Sequence, residues 1–351
     1  MRMETDIKRS AIKTDLFSGV KRWEKLDTLG DPPVFLECHV DLATLAAEVG
    51  RVAPRPTSEN SGGRLPYPAE TKVCILILKR LHNLSDEQIE YQLMARMSYQ
   101  RCCGLTHSPR IPDRNRMRMF QNRINLEGAT ALCDAVQQQL IRHGYIARCS
   151  QLIDANLVPP PSSTSRRTTR PSWARRGTGG LWFPATLRQK DLDASWTNKH
   201  GKSHHGCKLS INADKRYMLI RKIEMSDAAP HDSQHFDAVL DPANANRAVY
   251  ADKGYASAER EQALRETRYW DRIQRKGASN HPLPKRQAQR NDTLAKVRSR
   301  VEHVFAGIEQ MGGKLIRTIG IARAKFGMTL MAAAYNLKRL VYLKEARIAP
   351  L

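Results

Sequence analysis

Apolar residues recur at helical spacing through the first third of the chain. This spacing predicts helices over 40–49, 69–81 and 129–143. Ser85 is followed three residues later by Gln88, the spacing of a capping box, which predicts another helix start. Pro112 is typical of a first helical position and predicts a helix over the next dozen residues. The N-terminal part of the chain is therefore predicted to be helical throughout.

From about residue 145 the pattern changes to short apolar runs that favour β-strands. Such runs occupy 145–158, 205–214, 217–227, 248–251 and 268–276. A turn at Asp214–Lys215 joins the second run to the third, and Ser257 is suited to cap a helix after the fourth. The segment 231–240 is expected to form a short helix. Strands that alternate with helices indicate an α/β domain.

The C-terminal part contains the strongest amphipathic pattern in the chain. One helix is predicted over 292–310, with an apolar stripe of Leu294, Val297, Val301, Val304, Phe305 and Ile308. Glu302 lies at the margin of this stripe, one turn after Arg298. The preceding segment 285–291 is interpreted as a basic linker. The tail from Lys314 is expected to form a strand and then a helix.

A segment of unusual composition separates the first strand from the next. Residues 159–190 are rich in Pro, Ser, Thr and Arg and contain no acidic residue, which indicates a basic loop insertion. Its Trp173 and Trp182 could stack on unpaired bases, or the segment could be only a flexible insertion. The composition of 162–186 is also compatible with compensating frameshifts in a decayed gene copy.

The net charge changes the picture most. The chain has 58 Lys and Arg against 35 Asp and Glu, a formal charge of +23, which indicates a polyanionic partner, with nucleic acid as the first candidate. The alternatives are an ordinary basic surface or a ribosome-associated protein. Arg114 and Arg116, on the predicted helix after Pro112, favour a helical DNA reader as much as a solvated basic face.

Other features bound the cellular setting. The start of the chain lacks the apolar stretch of a signal peptide, and the apolar run 73–78 is too short to span a membrane. The seven cysteines are odd in number and form no C-x-x-C pair, which is typical of reduced thiols. We therefore expect a cytoplasmic, nucleoid-associated protein without a membrane partner.

Three carboxylates lie on elements that are predicted to pack in the core. Asp154 is within one strand, Asp252 directly follows another, and Glu302 is at the edge of the apolar helix. Buried carboxylates need a compensating charge, and divalent Mg²⁺ prefers such oxygen ligands. Two ions about 3.5–4 Å apart can support displacement at phosphorus. Each acid also has an ordinary interpretation, because the aspartates could cap turns and Glu302 could pair with Arg298.

Several stretches also resemble a known family. "QLIDANLVPPPSS", "RQKDLDASWTNKHGKSHHGCKLSINAD", "AAPHDSQ", "YADKGYAS" and "VRSRVEHVFAGIEQMGGKLIRTIG" resemble, in order, the catalytic domain of IS-five-type bacterial insertion-sequence transposases. "LPYPAETKVCILILKRLHNLSDEQIEYQL" and "RIPDRNRMRMFQNRI" resemble the helical N-terminal region of that family. The resemblance implies a DDE transposase with an RNase H-like catalytic core, a mixed central sheet flanked by helices.

The resemblance also implies domain bounds and site residues. It predicts a helical DNA-binding and assembly region over 1–140 and a catalytic domain over 141–345. Asp154, Asp252 and Glu302 become the catalytic, metal-binding acids, with two Mg²⁺ ions for which Mn²⁺ is able to substitute. The residues expected to contact DNA are Arg298, Lys202, Lys208, Lys253, Lys314, Arg114 and Arg116.

The implied reaction is cleavage at the terminal inverted repeats of an insertion sequence, followed by strand transfer into target DNA. Because two ends must be held together, at least a homodimer is expected. The family commonly has a tyrosine and a lysine where this chain has Ala295 and Glu309, although Lys314 could replace that lysine. The alternatives are a decayed, non-catalytic DNA-binding copy, or a nuclease with the same core that joins no strands.

Overall fold

Helices are the regular elements among the described residues of the N-terminal part. The computed structural model describes residues 17–55, 65–145, 150–160, 191–199, 201–243, 246–277 and 282–350. The first helices are α1 (Ser18–Leu29), α2 (Pro32–His39), α3 (Leu42–Val52), α4 (Ala69–Leu81), α5 (Asp86–Ala95) and α6 (Met97–Cys102). The bounds of α4 equal those predicted, and the capping box of Ser85 and Gln88 at the start of α5 is confirmed.

The long helix α7 (Arg114–Arg142) corrects one predicted helix start. Its N-cap is Asp113, whose carboxylate accepts a hydrogen bond from the backbone N–H of Arg116 at 2.8 Å. Pro112 therefore precedes the cap, because the aspartate satisfies the exposed N–H groups of the first turn. Asn125, with φ 42° and ψ −156°, interrupts the helical path of α7, so two helices meet at this residue, as the sequence predicted.

One mixed sheet organises the C-terminal part. Its strands are β1 (Gln151–Val158), β2 (Ser195–Lys199), β3 (Lys202–Asp214), β4 (Ile220–Asp227), β5 (Ala248–Ala251) and β6 (Trp270–Ile273). The strand order is β2-β3-β1-β5-β6, with β4 also paired to β3. β1, β5 and β6 are mutually parallel, whereas β3 is antiparallel to β1, β2 and β4. The sequence pattern did not predict β2.

The remaining helices flank this sheet. A 3₁₀ turn (Asp232–His235) leads into α8 (Phe236–Val239), and α9 (Ala258–Glu266), α10 (Lys285–Arg298), α11 (Val301–Gln310) and α12 (Ile321–Glu345) follow. The hydroxyl of Ser257 accepts from Arg260 N–H at 3.1 Å, which confirms the predicted cap of α9.

Three predictions for the C-terminal part are wrong. The basic segment 285–291 is the start of α10 rather than a linker, because its Lys, Arg, Gln and Ala are good helix formers. The helix predicted over 292–310 is divided at Ser299 and Arg300. From Arg300 on, the N–H groups of Arg300, Glu302 and His303 bond to carbonyls three residues back, a 3₁₀ tightening. No strand forms between Lys314 and α12; the described chain there makes turns.

The helix α12 is shared by two apolar cores. Its Leu330, Ala333 and Leu337 pack with the N-terminal helices. Met331, Ala332 and Ala334 pack with α11 and one face of the sheet. The other face of the sheet is covered by α8 and α9. The N-terminal helices and the sheet thus bury their apolar surfaces against opposite sides of the same helix.

Candidate active site

Strand pairing brings two of the predicted acids together. β1 and β5 are parallel, with Gln151 opposite Val249 and Leu152 opposite Tyr250. Continuing this register by two residues places Asp154 beside Asp252. Neighbouring strands lie about 4.8 Å apart, and residues in register point to the same face. Two carboxylates that are distant in sequence therefore share one face of the sheet.

The two aspartates differ in their surroundings. Asp154 lies within β1, and its side chain is 16% exposed. Asp252 is the first residue after β5, where its carboxylate accepts a hydrogen bond from the N–H of Lys253 at 2.7 Å and caps a short 3₁₀ turn. The predicted capping role of Asp252 is thus real, and its second carboxylate oxygen is left for another partner.

The junction of α10 and α11 supplies the third acid and the arginine. α11 packs on the sheet through buried Val301, Val304, Phe305 and Ile308, while Glu302 in its first turn keeps 63% of its side chain exposed. Arg298, the last residue of α10, places Nη1 2.6 Å from Asp154 Oδ2 and 3.9 Å from Glu302 Oε1. The arginine therefore lies between two acids, and the closer contact is with Asp154.

Burial and neighbouring charges shift the acidity of Asp154. Its pKa is raised to about 6, mainly by burial and in smaller part by the negative charges of Glu302 and Asp252. The Arg298 guanidinium and the N–H of Ala155 act in the opposite direction. Because burial outweighs the arginine, the protein does not fully compensate the ionised carboxylate of Asp154 for the loss of water.

Tyr255 was not identified from the sequence as a site residue. It lies in the turn after Asp252 and is only 2% exposed, and its hydroxyl has no hydrogen-bond partner among the described residues. Burial raises its pKa, and the charges of Asp154, Asp232 and Asp252 act in the same direction. The hydroxyl is therefore neutral, and it interacts electrostatically with Asp154 and Asp252. Its place in the "YADKGYAS" motif was the available sequence signal.

Four predicted DNA-contacting lysines have different surroundings. Lys253 is exposed directly after Asp252, and Lys202 is exposed at the start of β3. Lys208 is buried instead, with Nζ 2.8 Å from Asp232 and a hydrogen bond to the Pro230 carbonyl. Lys314 is 78% exposed, with Nζ 3.8 Å from Glu309.

The two predicted arginines of the helical region lie at the start of α7. Arg114 pairs with Glu87, and Arg116 lies 3.4 Å from Asp113 and stacks over the ring of Tyr67. No contact between described residues joins either arginine to the three acids. The predicted insertion from residue 161 to residue 190, with Trp173 and Trp182, lies outside the described residues.

The carboxylate oxygens of Asp154, Asp252 and Glu302 are suited to a hard divalent ion, although the three side chains do not converge on one metal position. Within the described ranges, no group of three or more His, Cys, Asp or Glu side chains is arranged to hold a metal ion. The three acids nevertheless interact electrostatically and offer only oxygen donors. Hard oxygen donors and uncompensated negative charge are what Mg²⁺ requires.

Comparison with known proteins decides the family. Residues 152–337 match the family described as "Transposase DDE domain", and residues 21–123 match one described as "Transposase domain (DUF772)". The chain belongs to the DDE transposase family. It is also similar to the transposase for insertion sequence element IS1106 of Neisseria meningitidis serogroup B, with 31% identity over 210 residues. That similarity covers 59% of this chain and 68% of the relative. No solved structure matches the chain.

Membership confirms the resemblance found in the sequence. The DDE match runs from β1 into α12 and includes all three acids. It implies an RNase H-like core for this transposase, a nucleic-acid-processing activity, DNA as the partner and a general use of divalent metal ions. No described helix is both long and apolar enough to cross a bilayer.

Proposed function

We propose that this DDE transposase cleaves DNA at the terminal inverted repeats of its insertion sequence and transfers the resulting strand ends into target DNA. The observation that carries the proposal is the convergence of Asp154, Asp252 and the Arg298–Glu302 junction. These residues come from three separate elements, and the parallel register of β1 and β5 brings the aspartates side by side.

Asp154, Asp252 and Glu302 are the residues that would hold the metal, as Mg²⁺ or Mn²⁺, in two ions. Bound at these oxygens, divalent ions supply the Lewis acidity that in-line displacement at a phosphodiester needs. Asp154 serves as a ligand once it is ionised, above about pH 6. Arg298 holds that carboxylate in place and favours its ionised form.

Both chemical steps can use the same acids. A water molecule attacks the phosphodiester at the element's end and breaks its P–O3′ bond, which leaves a 3′-hydroxyl on the element and a 5′-phosphate on the flanking strand. This 3′-hydroxyl then attacks a phosphodiester of target DNA, whose own 3′-oxygen leaves as a hydroxyl. Neither step needs a covalent enzyme intermediate, so no nucleophilic serine or tyrosine is required.

DNA recognition is assigned mainly to the helical region, residues 1–140, with Arg114 and Arg116 among its contacts. Around the acids, Lys202 and Lys253 are exposed and suited to phosphate contact. The formal charge of +23 supports a polyanionic partner. Because two element ends must be joined, the active species is proposed to be at least a dimer.

A lysine lies close to one position at which this chain departs from the family pattern. Glu309 stands where the family commonly has a lysine, and Lys314 Nζ lies 3.8 Å from its carboxylate. An ammonium group is thus present next to this position, which supports Lys314 as the substitute contact to element-end DNA.

The test is Mg²⁺-dependent nicking of a labelled terminal-repeat duplex. The wild-type protein should nick it, and Asp252→Asn should lose this activity while it binds the duplex as before. Glu259→Gln, an exposed acid in the first turn of α9, is the matched control and should nick normally. Equal nicking by the wild-type protein and Asp252→Asn would contradict the assignment.

A second candidate function is a non-catalytic DNA-binding protein derived from a transposase. It is favoured by Ala295 and Glu309 at two positions of the family pattern, and by the absence of a closed three-ligand group among the described residues. Sequence-selective binding without nicking, in Mg²⁺ or Mn²⁺, would establish it. A nuclease that never joins strands would nick the duplex but yield no strand-transfer product.

A further inference from the structure

A large cleft lies between the helical region and the C-terminal segment. Its volume is about 1380 Å³, and none of the three acids lines it. One wall comes from α3, α4, α5 and α7, and the other comes from residues 311–331, which include the start of α12. The cleft is therefore a second concave surface, distinct from the acidic site.

Arg80 on α4 is the most unusual residue of this cleft. Its Nε is buried and has no hydrogen-bond partner within the described part of the chain. Its guanidinium reaches α12, where Nη2 lies 3.6 Å from the position that a Cβ of Gly327 would occupy. Burial lowers the pKa of Arg80, and the nearby positive charge of Arg317 acts in the same direction, whereas the Asp86 carboxylate opposes both. A buried guanidinium beside a like charge is stabilised by an anion.

Three further arginines line both walls of the cleft. Arg118 comes from α7, and Arg317 and Arg323 come from the C-terminal segment. These three side chains are exposed, and none of them forms an ion pair with any described residue. Within the described part of the chain, the one side-chain hydrogen bond of these arginines runs from Arg317 Nη1 to the carbonyl of Asn83, at 3.5 Å.

The other charged residues of the cleft reduce this positive charge only in part. Lys79 is paired with Asp86, and Arg51 with Glu48 at 3.0 Å. Glu127 and Asp134 also line the cleft. Burial raises the pKa of Asp134 above its ordinary value. Four arginines thus remain against two acids.

We propose that this cleft binds the phosphate backbone of duplex DNA, through Arg80, Arg118, Arg317 and Arg323. The inference deepens the proposed function, since it rests on DNA as the partner of the same protein. Arginine suits phosphate because its planar fork donates two parallel hydrogen bonds. Because the four arginines are spread over both walls, a ligand with several phosphates can meet more of them than one small anion can. DNA in this position would contact the helical region and the C-terminal segment at once.

The salt dependence of binding tests the proposal. Fluorescence anisotropy would measure the affinity of the full chain for a labelled terminal-repeat duplex over a range of salt concentrations. Each phosphate contact contributes roughly 0.9 to the slope of log K against log salt concentration. The double variant Arg118→Gln/Arg317→Gln should therefore lower the slope by about 2 and weaken binding about tenfold or more in 0.1 M salt.

A control variant removes the same charge elsewhere. Arg268 and Arg347 are exposed and do not line the cleft. Arg268→Gln/Arg347→Gln should keep the wild-type slope. Equal slopes for the two double variants would overturn the cleft as a DNA site. A second result would also overturn the cleft as a DNA site. If inorganic phosphate stabilises the wild-type protein while the cleft variant keeps the wild-type salt dependence of DNA binding, the cleft binds a small anion instead.

Failure of the inference differs from failure of the proposed function. If only the assignment of the cleft as a DNA site is wrong, the wild-type protein still nicks DNA and Asp252→Asn does not. The salt-dependence slope of the cleft variant then equals that of its control. If the catalytic proposal is wrong, no Mg²⁺-dependent nicking occurs, while the slope of the cleft variant still falls by about 2.

Discussion

Arg298 Nη1 lies 2.6 Å from Asp154 Oδ2, although 144 positions separate the two residues in the chain. The contact joins the end of α10 to the middle of β1 and therefore fixes the α10–α11 junction over the sheet. The Nε of the same guanidinium has no hydrogen-bond partner among the described residues. Arg298 is thus both a structural link and the main positive charge that favours the ionised form of Asp154.

Replacing this arginine should shift the pH dependence of cleavage. Wild-type nicking should rise with pH through about 6 as Asp154 ionises. In Arg298→Gln the favourable charge is lost, so the pKa of Asp154 rises and the acidic limb of the profile moves to higher pH. The profile of initial nicking rates from pH 5.5 to 9 measures this shift. Arg300→Gln, an exposed neighbour, is the control, and identical limbs in Arg298→Gln and the wild type would contradict the role of Arg298.

The same ionisation should affect stability. The pKa of Asp154 in the folded protein, about 6, is above its ordinary value of 3.8. Its contribution to the free energy of unfolding is therefore complete below about pH 4 and is lost as the pH rises through 6. The asparagine of Asp154→Asn stays neutral at every pH. Without divalent ions, the free energy of unfolding of this variant should therefore exceed that of the wild type by up to about 3 kcal/mol at pH 8, and by little at pH 4. Urea unfolding at both pH values measures this difference; a less stable Asp154→Asn at pH 8 would refute it.

Divalent ions should stabilise the wild-type protein at pH 8. Ligand binding to the folded state adds about 1.4 kcal/mol at a tenfold excess over Kd. The Tm should therefore rise by a few degrees in MgCl₂ relative to NaCl of equal ionic strength. Asp154→Asn should show a much smaller rise because it offers one carboxylate fewer. An equal rise in both proteins would place the ion elsewhere.

The local hydrophobic pattern predicted the strands and the helix that carry the three acids. It could not predict how these elements pack to bring the acids together. The sequence predicted β1, β5 and α11 because each of these elements buries apolar side chains in a regular pattern. The β1–β5 register depends on long-range pairing and is not encoded at either strand alone. Sequence spacing favoured Glu302 as the partner of Arg298, whereas Asp154 is closer, at 2.6 Å against 3.9 Å.

Other errors have local physical reasons. β2 has no apolar alternation, and its hydrogen-bonding partner is the first half of β3. The break between α10 and α11 contains no glycine or proline. Ser299 and Arg300 keep right-handed helical torsions, and only the hydrogen bonds change, because from Arg300 on the N–H groups bond to carbonyls three residues back. A tightening of this kind leaves no mark in the sequence.

Tyr255→Phe should leave the free energy of unfolding unchanged or slightly higher. The variant removes a buried hydroxyl that has no partner among the described residues, and a buried polar group without a partner costs stability. Tyr335→Phe is the matched control, because the Tyr335 hydroxyl donates to the Met218 carbonyl at 3.0 Å in a buried site. The control should lose about 1 kcal/mol in urea unfolding. A comparable loss in Tyr255→Phe would show that its hydroxyl has a partner in the folded protein.

The contact between Asn83 and Gly312 should be a strong point of coupling between the helical region and the C-terminal segment. Gly312 has φ +84°, and a Cβ there would lie 1.9 Å from Asn83 Oδ1. Gly312→Ala therefore adds a collision to the strain of a left-handed alanine and should cost about 2–4 kcal/mol. Asn83 itself has φ 54°, which glycine tolerates.

Asn83→Gly removes the colliding atoms, so in that background Gly312→Ala should cost only the backbone strain, about 1 kcal/mol. The difference between the two costs is the coupling energy of the contact, and urea unfolding of the four proteins in the cycle measures it. Gly50→Ala is the control, since a Cβ at this helical position meets nothing within 4 Å and should stabilise α3 by about 0.5–1 kcal/mol. Equal costs of Gly312→Ala in both backgrounds would mean that Asn83 does not restrict this glycine, and that the two regions are not held together at this turn.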